Sequence, residues 1–149
     1  MLQIAASVGA SEVHGSGLFA QNFVPKGTVI WRFDPNTAIK MSVEDFTASC
    51  LKLPFDEQVK WVQHSYLKDG VLFRVLDDSK FINHLPSKKN VALSNWKEEV
   101  ALKDIHPGEE LFEDYHDNYD QLDFFNMEFG TIDSDTIKRW IAQLTFQYP

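Results

Sequence analysis

Two well-separated stretches of this 149-residue chain repeat one device, in which a proline and a glycine set a turn and an apolar run follows. The first reads Phe23-Val24-Pro25-Lys26-Gly27-Thr28-Val29-Ile30-Trp31, the second Ile105-His106-Pro107-Gly108-Glu109-Glu110-Leu111-Phe112. Proline pre-sets φ at one turn position and glycine accepts the positive φ that another needs, so the chain reverses sharply and a strand resumes. Val29, Ile30, Trp31 and Phe33 are good strand formers, and Asp34-Pro35-Asn36 ends their run. This punctuation commits the chain to short strands joined by tight turns. Further strand-like runs fall at 8–13, 71–76, 80–83, 91–94 and 100–102, with the turn His14-Gly15-Ser16-Gly17 feeding Leu18-Phe19-Ala20.

Helical character enters in two places. Ser42 reads as an N-cap with Glu44 and Asp45 behind it, which predicts a short helix to about Cys50. A second helix is predicted over about 55–66, with Phe55, Val59, Val62 and Tyr66 on one stripe. From about Ser134, the residues Ile137, Trp140, Ile141 and Leu144 again follow helical spacing. The expected fold class is therefore α+β, with many short strands, a helical insert at about 42–68 and a C-terminal helical extension at about 131–147. No composition shift marks a boundary, and the length suits one core rather than two, so residues 1–149 read as one domain.

A hydrophobic content of 44% with 24% charged residues is ordinary for a globular chain. Cys50 is the only cysteine, which excludes a disulfide framework and any multi-cysteine zinc cluster and suits a reducing compartment. The opening MLQIAASVGA has no basic n-region and no stretch approaches membrane-spanning length, so the expectation is a soluble intracellular protein, with no membrane partner. Such a protein would be cytoplasmic, or nuclear in a eukaryote. The formal net charge of −8 opposes phosphate binding, so no direct nucleic acid contact is expected, and basic partners are favoured.

Three stretches carry groups that could do chemistry. In HGSGLFA (14–20), two glycines around one serine let the backbone approach a ligand closely, although Gly-x-Gly alone reads first as a turn. It lacks the third glycine and following helix of a dinucleotide fingerprint. In FINHLPSKKN (81–90), Asn83 and His84 end an apolar run, and such groups are costly to bury without partners. Read alone, the pair suggests an Asx-type turn with His84 against core; a ligand is the other way to satisfy it. In GEELFEDYHDNY (108–119), Glu109, Glu110, Glu113 and Asp114, with Asp117 and Asp120, have no metal-cage spacing and read as a solvated acidic face, so no metal is expected.

Taken together and in this order, the stretches resemble the SET-domain family of S-adenosylmethionine (AdoMet)-dependent protein lysine methyltransferases, in the small free-standing form without a cysteine-rich zinc segment. HGSGLFA is similar to that family's first motif and PKGTVI to its Pro-x-Gly turn. FINH resembles the start of its Arg-Phe-Ile-Asn-His-Ser-Cys-x-Pro-Asn motif, with Lys80 at the arginine, and IHPGEELFEDY resembles its final Gly-Glu-Glu-Leu-x-x-Asp-Tyr motif. The resemblance spans about 8–120.

It implies several small curved sheets with a C-terminal pseudoknot, and AdoMet as cofactor. It also implies a basic, lysine-bearing protein or peptide as the substrate partner. Gly15, Ser16, Gly17, Asn83, His84 and Tyr115 become the expected cofactor contacts, Tyr115 the catalytic residue, and Tyr119 a second channel tyrosine. Trp31, Tyr66 and Phe73 could line the same channel but read first as core. Tyr115 would orient the amine rather than act as a base, because an ordinary tyrosine is protonated at neutral pH.

The chain also departs from the family pattern. Leu85-Pro86 replace Ser-Cys, Lys89 replaces proline, one extra residue shifts Asn90 from its bracing register, and His116 stands where glycine is common. These departures keep open an alternative, a catalytically weakened SET domain that binds basic peptides.

Overall fold

A computed structural model of the chain describes residues 1–120 and 133–147. Four small sheets organise it. The hairpin of β1 (Ala6–Ala10) and β2 (Ser16–Ala20) stands alone. β3 (Val29–Arg32), β8 (Val91–Asn95) and β9 (Glu98–Ala101) form a sheet in the order β3-β9-β8. β4 (Ala38–Met41), β5 (Ser65–Lys68) and β6 (Val71–Val75) form another in the order β4-β6-β5. The last pair is parallel: β7 (Asn83–His84) with β10 (Phe112–Glu113), Phe112 opposite Asn83 and Glu113 opposite His84.

The two Pro/Gly turns have one geometry and touch. Thr28 N–H donates to the Pro25 carbonyl at 3.1 Å and Glu109 N–H to that of His106 at 3.0 Å, each closing a four-residue turn. Gly27 and Gly108 both sit at φ 83°, the third-position conformation of a type II turn. Val24 and Ile105 exchange two backbone hydrogen bonds of 2.9 Å, so the turns lie side by side over a core of Leu18, Ile30, Ile82, Val91 and Leu111.

The helices form a second core. Ser42 caps α1 (Val43–Cys50) by accepting from Asp45 N–H at 3.0 Å, as its position predicts. α1, α2 (Phe55–Gln63) and α4 (Ser134–Gln147) pack Phe46, Val62, Ile137, Ile141 and Leu144 against Leu67 and Leu72 of the second sheet. A short helix, α3 (Tyr115–Asn118), follows β10 under an Asp114 cap. Residues 131–132 of the expected C-terminal extension lie outside the described residues. Among the described residues no helix is long and apolar enough to cross a membrane.

Three expectations change. The strand expected at 8–13 lies at Ala6–Ala10, and Ser16 and Gly17 already belong to β2. The second helix stops at Gln63, and Tyr66 belongs to β5, where it pairs with Phe73 at a ring separation of 5.1 Å. That cross-strand stack buries the ring better than the helical stripe would. Residues 80–83 do not form a strand: a 3-10 turn runs over Asp78–Phe81, because Asp77 accepts the Ser79 N–H at 3.2 Å and winds the chain locally. Only Asn83 of that run is extended into β7. Strand β4 had no alternation to announce it; its pairing with β6 makes it one.

Candidate functional site

The β7–β10 bridge is where the sequence motifs converge. The Asn83 side chain donates from Nδ2 toward three acceptors: the carbonyls of Ser16 (2.9 Å) and His14 (3.3 Å) and Glu110 Oε1 (3.0 Å). One amide therefore ties the glycine turn to the final motif. Gly17 is required by the same contact, since a Cβ there would stand 2.1 Å from Glu110 Oε1. Gly15 answers a different need: at φ 49° it occupies the left-handed region, and its Cβ position faces open space.

Asn90 braces the segment from the other side despite its shifted register. Its Nδ2 donates to the Glu110 carbonyl and its Oδ1 accepts from Phe112 N–H, both at 2.8 Å. Backbone bonds from Leu85 to Glu113 and from Asn90 to Phe112 add to this, so residues 110–113 are clasped by both ends of the 85–90 loop. The extra loop residue is absorbed by the 3-10 turn at Pro86–Lys88.

His84 and Tyr115 form the other half of the convergence. Tyr115 N–H donates to His84 Nδ1 at 3.0 Å, and the rings lie 4.9 Å apart. An Nδ1 that accepts a hydrogen bond carries no proton, so His84 is neutral with its proton on Nε2. Burial lowers its pKa against the opposing pull of Asp114, and the 4.0 Å approach of those side chains is not an ion pair. The Tyr115 hydroxyl donates to the Ile82 carbonyl at 2.9 Å. Burial around that hydroxyl, then the charges of Glu113 and Glu99, push its pKa well above the usual tyrosine value. Tyr115 is thus a hydrogen-bond donor with no capacity to act as a base at neutral pH.

Beyond Tyr115 opens a cavity of about 60 Å³, several times the space one water needs. Its wall includes Trp31, Tyr66, Ile82, Glu99, Glu113 and Tyr119. Phe73 stacks on Tyr66 (5.1 Å) and Tyr66 on Tyr119 (4.7 Å), and Tyr119 meets Tyr115 at a tilt (5.5 Å), forming a continuous aromatic flank. Glu113 accepts from Asn118 Nδ2 and from the Tyr119 hydroxyl, each at 2.6 Å. Burial pushes the Glu113 carboxyl up to about 7, with those two bonds opposing. Burial, and then the charge of Glu113, raise Glu99 as well.

The glycine turn, Asn83, His84 and Tyr115 thus share one neighbourhood, and Tyr119 lies on the cavity with Trp31 and Tyr66. Phe73 stands behind Tyr66 instead. The acidic stretch is corrected most strongly at Glu113, and Glu110 and Asp114 are also only partly exposed. Glu113 is 5% exposed, not part of a solvated face, because the two-residue strand β10 is covered on both sides. Glu99 was not anticipated at all. It precedes the predicted strand 100–102, but β9 begins at Glu98 and puts Glu99 on the buried face with Ala101. That period-two relation was the available signal. Among the described residues no group of three or more His, Cys, Asp or Glu side chains could hold a metal.

The SET domain family model matches residues 15–116. Solved structures of similar fold include Chaetomium thermophilum Polycomb Repressive Complex 2 bound to GSK126 (26% identity, TM-score 0.58, 78% of this chain and 16% of that one). ctPRC2 in an autoinhibited conformation bound to S-adenosylmethionine is similar at 24% identity and a TM-score of 0.59, over 79% of this chain and 16% of that one. ctPRC2 in complex with H3K27me3 and H3K27M follows at 23% and 0.58, over 82% and 16%. This chain therefore spans about a sixth of the length of each. No curated protein sequence is significantly similar to it. A family match over most of the chain, on a fold that assembles the same motifs around one parallel bridge, leaves one conclusion: the chain belongs to the SET domain family.

Proposed function

We propose that the chain is a protein lysine methyltransferase that uses AdoMet. The observation that carries this reading is the joining of the Gly15-Ser16-Gly17 turn, Asn83-His84 and Tyr115 at the β7–β10 bridge, next to a tyrosine-walled cavity. The residues fit such a cofactor. Gly15 and Ser16 are exposed, and the open space at the Gly15 Cβ position leaves backbone as the surface a ligand meets. When bound, AdoMet supplies a methyl group on a positively charged sulfur. Asn83 holds the turn in place, neutral His84 orients Tyr115, and the Tyr115 hydroxyl marks the junction between cofactor and channel. The aromatic flank lowers the polarity around an entering amine, which favours its neutral form. A related structure is bound to S-adenosylmethionine and another is in complex with H3K27me3 and H3K27M, which supports AdoMet and a lysine-bearing peptide as ligands here. The binding-module alternative rested on the altered 85–90 loop, and the intact Asn90 clasp favours the enzyme.

Calorimetric titration with AdoMet, followed by labelled methyl transfer to lysine-rich proteins, tests the proposal. The expected result is one-to-one binding with turnover. Tyr115→Phe should lower transfer by about 100-fold or more and leave AdoMet affinity unchanged. Turnover untouched by Tyr115→Phe would remove that residue from its role.

A further inference from the structure

Among the described residues, four buried side-chain polar atoms have no hydrogen-bond partner, and three of them line the cavity beyond Tyr115: Trp31 Nε1, Tyr66 Oη and Glu99 Oε1. All three residues are between 3% and 7% exposed. Native folds rarely leave such groups unsatisfied, and an orphaned buried carboxylate oxygen is among the most costly. Neither Glu99 nor Glu113 takes part in any ion pair among the described residues. The nearby His64 does not compensate, because burial lowers it to about 4 and keeps it neutral. Lys80, also on the wall, turns its Nζ toward the Leu76 carbonyl and the Phe81 ring.

Burial raises both carboxyls, Glu113 to about 7 and Glu99 well above the usual carboxylate range. The charge of Glu113 raises Glu99 further, so the two do not ionise independently. An alkylammonium matches two of the three unpaired atoms, whereas the Trp31 Nε1–H is itself a donor and needs an acceptor. The ammonium brings one positive charge and three donors, and Glu99 Oε1 and Tyr66 Oη are acceptors in need of them. A narrow cavity beside stacked rings suits an unbranched aliphatic stem.

We propose that the Glu99–Glu113 pair is the receptor for the substrate's side-chain ammonium and accepts the proton that this group must lose before methylation. This rests on the lysine methyltransferase reading. Tyr115 stays protonated, so the proton needs another acceptor, and a carboxylate in the same cavity provides it. The balance is complete: an N–H bond of the ammonium breaks and its proton goes to a carboxylate oxygen, leaving a neutral amine. AdoMet, when bound, would supply the methyl group to that neutral amine, its S–C electron pair staying on sulfur and its positive charge passing to nitrogen. The carboxyl returns its proton to solvent after product leaves.

The charged and titratable groups facing the pair are Tyr66 of β5, Tyr115 and Asp114 at α3, Tyr119, and Asp77 before the 3-10 turn, with Lys80 and His64 on the wall. The tyrosines stay neutral and the two aspartates oppose further ionisation. Binding of a cation should therefore strengthen as pH rises through the neutral range, where Glu113 titrates.

The test is titration of the intact protein with n-butylammonium, followed by heteronuclear NMR, with n-butanol and n-butylguanidinium as comparisons and AdoMet affinity measured in parallel. Glu113→Gln and Glu99→Gln should each weaken n-butylammonium binding about ten-fold or more and flatten its pH dependence, with AdoMet affinity unchanged. If Glu113→Gln fails to fold, Glu99→Gln carries the test, since its Oε1 has no partner to lose. Equal affinity for n-butanol, tighter binding of n-butylguanidinium, or variants that bind like the parent would overturn the proposal. Amine binding without AdoMet binding or transfer would leave the receptor standing and remove the methyltransferase reading. Transfer that is indifferent to both Gln substitutions would do the reverse.

Discussion

The two sides of the β7–β10 bridge are built to opposite rules. On the Asn83 side the fold satisfies itself: one amide serves three acceptors, Asn90 serves two more backbone groups, and Gly17 lets Glu110 close in. On the Glu113 side, a few ångströms of chain away, three buried polar atoms go unpaired around a cavity. The first arrangement maximises stability and the second forgoes it. A region that gives up hydrogen bonds inside a core is poised for a ligand, whereas a region that closes all of them is a scaffold.

Breaking the scaffold side should have the largest effect. Asn83→Ala leaves the His14 and Ser16 carbonyls and Glu110 without their donor and should cost about 3 kcal/mol in urea unfolding, with weakened AdoMet binding. Gly17→Ala alone should cost about 1–3 kcal/mol by forcing Glu110 aside. In the Asn83→Ala background Glu110 is no longer held, so the same Gly17→Ala change should cost less by at least about 1 kcal/mol. Additive costs would show that Asn83 and Gly17 do not act through Glu110.

The cavity side predicts the opposite sign. Glu99→Leu removes an unpaired carboxyl and should raise stability by about 1–3 kcal/mol above neutral pH. The sign follows from the raised pKa. The folded state prefers Glu99 protonated, so its contribution is fully present below the ordinary carboxyl range and is lost as pH rises toward the folded value. The gain from Glu99→Leu should therefore grow with pH and vanish in acid, as read by thermal unfolding at a series of pH values. A gain independent of pH would mean the carboxyl was not the cause.

The smallest effect belongs to the rim. Lys89 pairs with Asp114 at 3.5 Å and also contacts Asp117. The Lys89 ammonium stays open to water even where it meets the partly buried Asp114, so Lys89→Ala should barely move the urea midpoint, and not detectably at high salt.

Much of the scaffold was legible in the sequence, because the signals are local. The Ser42 cap, the paired Pro/Gly turns and the positive-φ glycines act over three or four residues, and each formed where it was expected. That Asn83 and His84 would meet Tyr115 was implied by the resemblance to the SET family, not by any local pattern. The failures share a different cause. Tyr66 fits a helical stripe as well as a strand, and only Phe73 across β5–β6 decided between them. Residues 80–83 looked extended until the Asp77 side chain wound them.

The sequence by itself determined the short-strand architecture, the caps and the turns, which depend on φ preferences and hydrogen bonds between near neighbours; that the motifs would meet followed only from the family resemblance. Only the tertiary structure decided that Glu113 faces inward, that Glu99 joins it from another sheet, and that Trp31, Tyr66 and Glu99 keep unpaired atoms around one cavity. The reason is physical. Whether a carboxylate is solvated or buried depends on what covers it, and here the cover comes from strands β3, β5 and β9 and helix α3, whose relative positions no local pattern encodes.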